Sequence, residues 1–109
     1  MSISRNIKPI KPEYTGIDGI YKITFPLPFA LDHVNCYMIE GKKGWSIIDA
    51  GLNIPPTHEG WSNAIEELKI EWEDIRGIYV TLYHPDHYGA AGWLQERSGA
   101  PVDLSARDL

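Results

Sequence analysis

Two histidines and an aspartate, His84, Asp86 and His87, fall within four positions in the stretch Thr81-Leu82-Tyr83-His84-Pro85-Asp86-His87-Tyr88-Gly89. Imidazole nitrogen and carboxylate oxygen form a donor set that suits zinc and related divalent ions. Pro85 stiffens the chain between His84 and Asp86, which helps hold ligands at fixed separations. A plainer reading stands beside this one. Asp86 can be the N-cap of a following helix, and His84 and His87 can be surface loop residues. Tyr83 and Tyr88 flank the loop and either line a pocket or pack on their neighbours.

The loop needs elements to position it. Gly77 to Leu82 (GIYVTL) reads as a strand apolar enough to be central in a sheet. Ala90 to Arg97 reads as a helix, stopped by Ser98-Gly99 in the position of a C-cap. The loop thus joins a strand end to a helix start, a common place for a site in layered sheets. Upstream, Ile20 to Phe25 is a strand halted by Pro26 and Pro28. Val34 to Glu40 and Trp45 to Asp49 flank Gly41-Lys42-Lys43-Gly44 and form a β-hairpin. Thr57 caps a helix that carries Trp61, Ala64, Ile65, Leu68 and Trp72 at helical spacing and ends near Ile70. His58 lies in its first turn and reads as solvent-exposed. Glu71 to Arg76 is a polar connector, and Val102 to Ser105 is a short fifth strand. Residues 1–17 form an extended lead-in and residues 18–109 the folded unit. The expected class is α/β (α+β), a mixed sheet with helices on one face.

Composition narrows the function. A chain of 109 residues is a single domain at most. Ten basic against fifteen acidic side chains give a net charge of −5. With no basic cluster, a nucleic-acid partner is not expected. No apolar run approaches the roughly 20 residues of a membrane span. The N-terminal MSISRNIKPIKPEY has no apolar segment of the kind that directs secretion. The single cysteine, Cys36, excludes an internal disulfide, reads as a small buried apolar side chain, and fits a cytoplasmic setting.

Thr81-x-x-His84-Pro85-Asp86-His87, followed by Gly89-Ala90-Ala91-Gly92-Trp93-Leu94, resembles the metal loop of the metallo-β-lactamase-fold hydrolases, whose signature is H-x-H-x-D-H. Two further stretches resemble the same superfamily in the same order: LPFALDHVN with CYMIE, and WSIIDAG. The likeness covers roughly residues 18–107. It implies a zinc-dependent hydrolase with up to two ions and a small-molecule substrate of ester or thioester type. It implies half of an αββα sandwich. His84 matches a ligand of the first ion, and Asp86 and His87 match ligands of the second. Asp86 also matches the catalytic residue that orients the attacking water, and Asp49 a supporting carboxylate.

The chain departs from the signature at its first position, where Leu82 replaces histidine. Leucine has no lone pair, and residues 88–109 contain no histidine that compensates. These departures imply a fragment that is inactive alone and acts as a homodimer or with the C-terminal half of a longer chain. The alternative is a non-catalytic, self-associating half-domain.

Overall fold

The structure, a computed structural model, describes residues 9–27, 32–82 and 84–104. Side chains along a strand alternate between faces. On β2 (Ile20–Leu27) this buries Ile23, Phe25 and Leu27. The facing residues of β3 (Asp32–Gly41) are Cys36 opposite Ile23 and Val34 opposite Phe25, both buried. β4 (Gly44–Ile48) pairs antiparallel with β3 across a two-residue turn, the expected hairpin. Gly44 takes φ 138° there and sits against Asp74 and Arg76, where a Cβ would clash.

The chain then crosses over through α1 (Pro55–Glu67) to β5 (Ile75–Tyr79), parallel to β4. A second crossover, through α2 (Pro85–Tyr88) and α3 (Ala91–Ser98), reaches β6 (Val102–Asp103), parallel to β5. With β1 (Glu13–Tyr14) at the other edge, the sheet has six strands in sequence order, antiparallel in its first half and parallel in its second. Trp61, Ala64 and Ile65 of α1 and Leu94 of α3 join the buried strand residues in one core. The opposite face of the sheet leaves Ile20, Tyr37, Ile39 and Ile48 half-exposed and Tyr79 43% exposed. No helix among the described residues is long and apolar enough to cross a membrane.

Several elements differ from expectation for identifiable reasons. β2 runs through Pro26 instead of stopping there. β1 pairs only with Tyr21 and Lys22, so β2 is an edge strand at Pro26, where a missing N–H is tolerated. α1 begins at Pro55, and Thr57 is buried inside the helix instead of capping it. Proline at the first helical position is pre-set for that conformation. Trp72 belongs to a 3-10 turn, Trp72–Asp74, closed by reciprocal Glu71 and Asp74 capping contacts. β5 starts two residues earlier than expected and ends at Tyr79. α3 ends as expected, with Gly99 left-handed at φ 76°. The fifth expected strand is seen at Val102–Asp103, and its last residue, Ser105, lies outside the described residues.

His58 is not simply solvent-exposed. Its ring stacks on Trp93 of α3 at 4.3 Å and 3°, and its Nε2 lies 2.7 Å from Asn53 Oδ1. The Arg97 guanidinium sits 4.4 Å from the centre of the same indole. Partial burial and then Arg97 hold the His58 pKa below the ordinary histidine value.

Candidate metal centre

The centre forms where the parallel strands β4 and β5 end, the side of such a sheet on which ligands collect. Asp49 follows β4 in the left-handed region, φ 67°, a conformation that Asp tolerates better than most residues. Its backbone N–H donates to Tyr79 O at 2.7 Å, continuing the β4–β5 ladder. That conformation turns the carboxylate, 5% exposed, toward the end of β5. Oδ1 accepts the Thr81 N–H at 2.8 Å and Oδ2 accepts the Thr81 hydroxyl at 2.6 Å. Two bonds from one residue fix how the chain leaves β5. Thr81 carried no assigned role in the sequence. Its signal is the contact with Asp49, 32 positions away and visible only once β4 and β5 are paired.

The loop is stitched to the sheet a second time through its backbone. The Ala50 N–H donates to His87 O at 2.7 Å, and the Ala90 N–H donates to Gly51 O at 2.9 Å. Gly89 allows this approach, because a Cβ there would lie 2.5 Å from Pro85 O and 2.9 Å from Asn53 N.

His84 is exposed and serves as the N-cap residue of α2 through its backbone. Its carbonyl accepts the His87 N–H at 2.8 Å and the Tyr88 N–H at 3.0 Å. Asp86 is therefore in the first turn of α2 and is not its cap. The His87 ring reaches back between two carboxylates. Its Nδ1 lies 3.0 Å from Asp49 Oδ2, and its Nε2 lies 3.7 Å from Asp86 Oδ2. The first contact has a hydrogen-bond distance but not its alignment, so buried Nδ1 has no aligned partner. Tyr88 is half-buried against the core, and Tyr83 lies outside the described residues. Leu82 is 50% exposed.

Cys36 belongs to the same neighbourhood. Burial raises its thiol pKa, and the carboxylates of Asp49 and Asp86 raise it further, keeping it protonated and unreactive.

Asp86 and His87 approach the spacing of two ligands on one ion without reaching it. Zinc bonds of about 2.0–2.1 Å at the tetrahedral angle put two ligand atoms roughly 3.3–3.4 Å apart. The observed 3.7 Å is slightly wider than that edge. A two-ion centre does not fit these residues alone. Among the described residues, no three His, Cys, Asp or Glu side chains gather to hold an ion.

Residues 30–109 match the family model of the metallo-beta-lactamase superfamily. The chain belongs to this superfamily. It is 34% identical over 95 residues to the uncharacterized protein YobT of Bacillus subtilis, covering 86% of this chain and 38% of that one. It is 28% identical over 72 residues to the probable metallo-hydrolase YqjP of the same organism, covering 66% of this chain and 22% of that one. Among solved structures, a beta-lactamase domain protein from Burkholderia ambifaria aligns with TM-score 0.74 at 26% identity, covering 84% of this chain and 28% of that one. A metallo-beta-lactamase family protein from Thermus thermophilus aligns with TM-score 0.69 at 27% identity, covering 77% and 28%. The six-stranded sheet with its helices is thus part of a metallo-β-lactamase fold. The matched curated relatives are much longer, and the chain spans 22% to 38% of their length.

Proposed function

We propose that this chain is the ion-binding half of a metal-dependent hydrolase acting on a small ester or thioester. The observation that carries the reading is the Asp86–His87 pair, 3.7 Å apart at the end of β5 and seated over buried Asp49. Zinc is the ion this donor set suits, and a complete relative would take up to two. His84 would be a ligand of the first ion on the same loop, and Leu82 supplies no donor beside it. A bound ion would polarise the scissile carbonyl and lower the pKa of a water. Asp86 would orient that water. Asp49 and Thr81 hold the loop in place while it works. The setting is cytoplasmic, in keeping with one buried thiol and no disulfide.

Two protein ligands fall short of the three that a catalytic zinc normally keeps. The missing donors would come from the C-terminal half of a longer polypeptide or from a second copy in a homodimer, which also covers the open face of the sheet. The 109-residue chain alone is expected to turn over little or nothing. The test is release of nitrophenol or free thiol from small ester and thioester substrates by zinc-loaded protein. It is run with the chain alone and with the C-terminal half of a longer relative such as YobT added. Turnover that appears only with the added half, and that Asp86→Asn abolishes, supports the reading. Ion binding without turnover in either form favours the alternative of a non-catalytic, self-associating half-domain, the reading that Leu82 favours.

A further inference from the structure

We propose that His58, Trp93 and Arg97 form a pH-sensitive latch that holds the arm made of α2 and α3 against α1. The latch is independent of which ion or substrate the candidate centre takes. Three observations carry it.

The first is how the arm is anchored. Its root is stitched to the loop after β4, where the Ala50 N–H donates to His87 O and the Ala90 N–H donates to Gly51 O. Its outer side meets α1 through His58, whose ring lies on the Trp93 indole at 4.3 Å and 3°. Both anchors run to the same short loop. His58 Nε2 lies 2.7 Å from Asn53 Oδ1, and a Cβ at Gly89 would lie 2.9 Å from Asn53 N. Ala91 and Leu94 keep the inner side of α3 in the core. Release of the latch therefore loosens the arm without detaching it.

The second is the set of charges around the His58 ring. From α3 comes Arg97, one turn after Trp93, with its guanidinium 4.4 Å from the centre of the indole. From the loop the ring meets the neutral amide of Asn53. On α1 the residues one turn away, Ile54, Trp61 and Ser62, carry no charge. The 3-10 turn reaches the stack through Trp72, edge-on to Trp93 at 5.7 Å and 85°. Its acids Glu73 and Asp74 are exposed, and Asp74 accepts the Glu71 N–H. Glu59 and Glu96, next in sequence to His58 and Arg97, are exposed as well. A proton on His58 thus sets a second cation near Arg97, with no carboxylate among the described contacts of the ring.

The third is the direction in which the proton acts. Partial burial and then Arg97 disfavour the charged ring in the latched arrangement. An open ring returns to the ordinary value of about 6.5. The latched form therefore binds the proton more weakly than the open form. The latch is whole above about pH 6.5, weakens as the pH falls through 6.5, and levels off below the latched value. Each pK unit between the two forms is about tenfold in the latch equilibrium.

The test is hydrogen exchange of single amides in the nitrogen-15 labelled 109-residue chain, from about pH 7.5 to about pH 5, corrected for the intrinsic rate of each amide. The Ala90, Leu94 and Gly99 amides are expected to exchange through a local opening, with a weaker urea dependence than the amides of β3 and β4. Their protection should fall over the range in which the His58 ring titrates, about tenfold per pK unit between the two forms. His58→Phe, which keeps a ring on Trp93 but takes no proton, should abolish the fall. If that variant does not fold, His58→Gln, which keeps a donor for Asn53, takes its place. Arg97→Gln should move the His58 titration toward its ordinary value and shrink the fall. Protection that does not change with pH overturns the latch. An equal fall in the His58 variant also overturns it and assigns the effect to another histidine, such as His87. Arm amides with the same urea dependence as those of β3 and β4 overturn it too, because the arm then opens only with the whole chain.

Discussion

Removing the Asp49 carboxylate should unfasten the loop from the sheet, and the size of the effect follows from what that group touches. Asp49 is 5% exposed and accepts two hydrogen bonds from Thr81, at 2.8 and 2.6 Å. Hydrogen bonds to a charged group contribute about 1.5–3 kcal/mol each, and recovering the desolvation of a buried carboxylate offsets part of the sum. A net loss of about 3 kcal/mol on Asp49→Ala is reasonable from the bonds alone. Alanine at φ 67° adds roughly 1 kcal/mol of backbone strain, for a total of about 4 kcal/mol. Asp49→Asn keeps an oxygen for the Thr81 N–H, offers an amide to the Thr81 hydroxyl, and tolerates the left-handed conformation, so it should lose only about 1 kcal/mol. Asp49→Gly relieves the strain but restores no bond, and should fall between them at about 3 kcal/mol. Urea denaturation followed by tryptophan fluorescence reads this order, Asp above Asn above Gly above Ala. An alanine variant within about 1 kcal/mol of the parent would refute the claim that Asp49 holds the loop. An alanine variant as stable as the glycine variant would refute the assigned backbone conformation.

Three more outcomes follow from the packing. His58 is held below its ordinary pKa, so the unfolded chain takes up its proton first. The contribution of His58 to stability should be complete above about pH 6.5 and fall as the pH drops through 6.5 and then through the lower folded value. Urea midpoints from about pH 7.5 to about pH 5 should show this fall, and His58→Phe, which keeps a ring on Trp93, should flatten it. Gly60→Ala should destabilise by about 1–3 kcal/mol, because its Cβ would meet the Phe25 ring at 2.5 Å and Ile10 at 2.8 Å. An unchanged thermal midpoint would show that Phe25 and Ile10 do not crowd Gly60 as these distances indicate. Sedimentation velocity should show concentration-dependent self-association through the open sheet face, weakened by Ile48→Lys, whereas a monomer at every concentration would rule that face out as a contact between copies.

The parts of the fold legible in the sequence are those with strong local chemistry. The hairpin was readable because two glycines bracket a two-residue turn, and the end of α3 because Gly99 can take the left-handed conformation. Thr57 is a good cap in isolation, but Pro55 and Pro56 occupy the first turn and set the start of α1 ahead of it. β1 is two residues long and gains its order from pairing with β2, which no local pattern announces. His58 looked exposed because its partners, Trp93 and Arg97, lie on a helix more than thirty positions later.

The candidate site divides along the same line. His84, Asp86 and His87 are contiguous, so their residue types were visible at once. Which of them converge depends on where α2 begins. Pro85 starts the helix, which leaves His84 outside it as an extended, exposed residue and carries Asp86 and His87 into its first turn. One proline thus separates His84 from the Asp86–His87 pair. Position 82 then decides whether His84 has any company, and there the side chain is leucine. Asp49 and Thr81 follow the same, C-terminal ends of two neighbouring parallel strands, so their contact exists only after α1 has carried the chain from β4 to β5. The sheet therefore does more than support the loop. By placing the Asp49 carboxylate beside Nδ1, it selects which nitrogen of His87 is left to face Asp86.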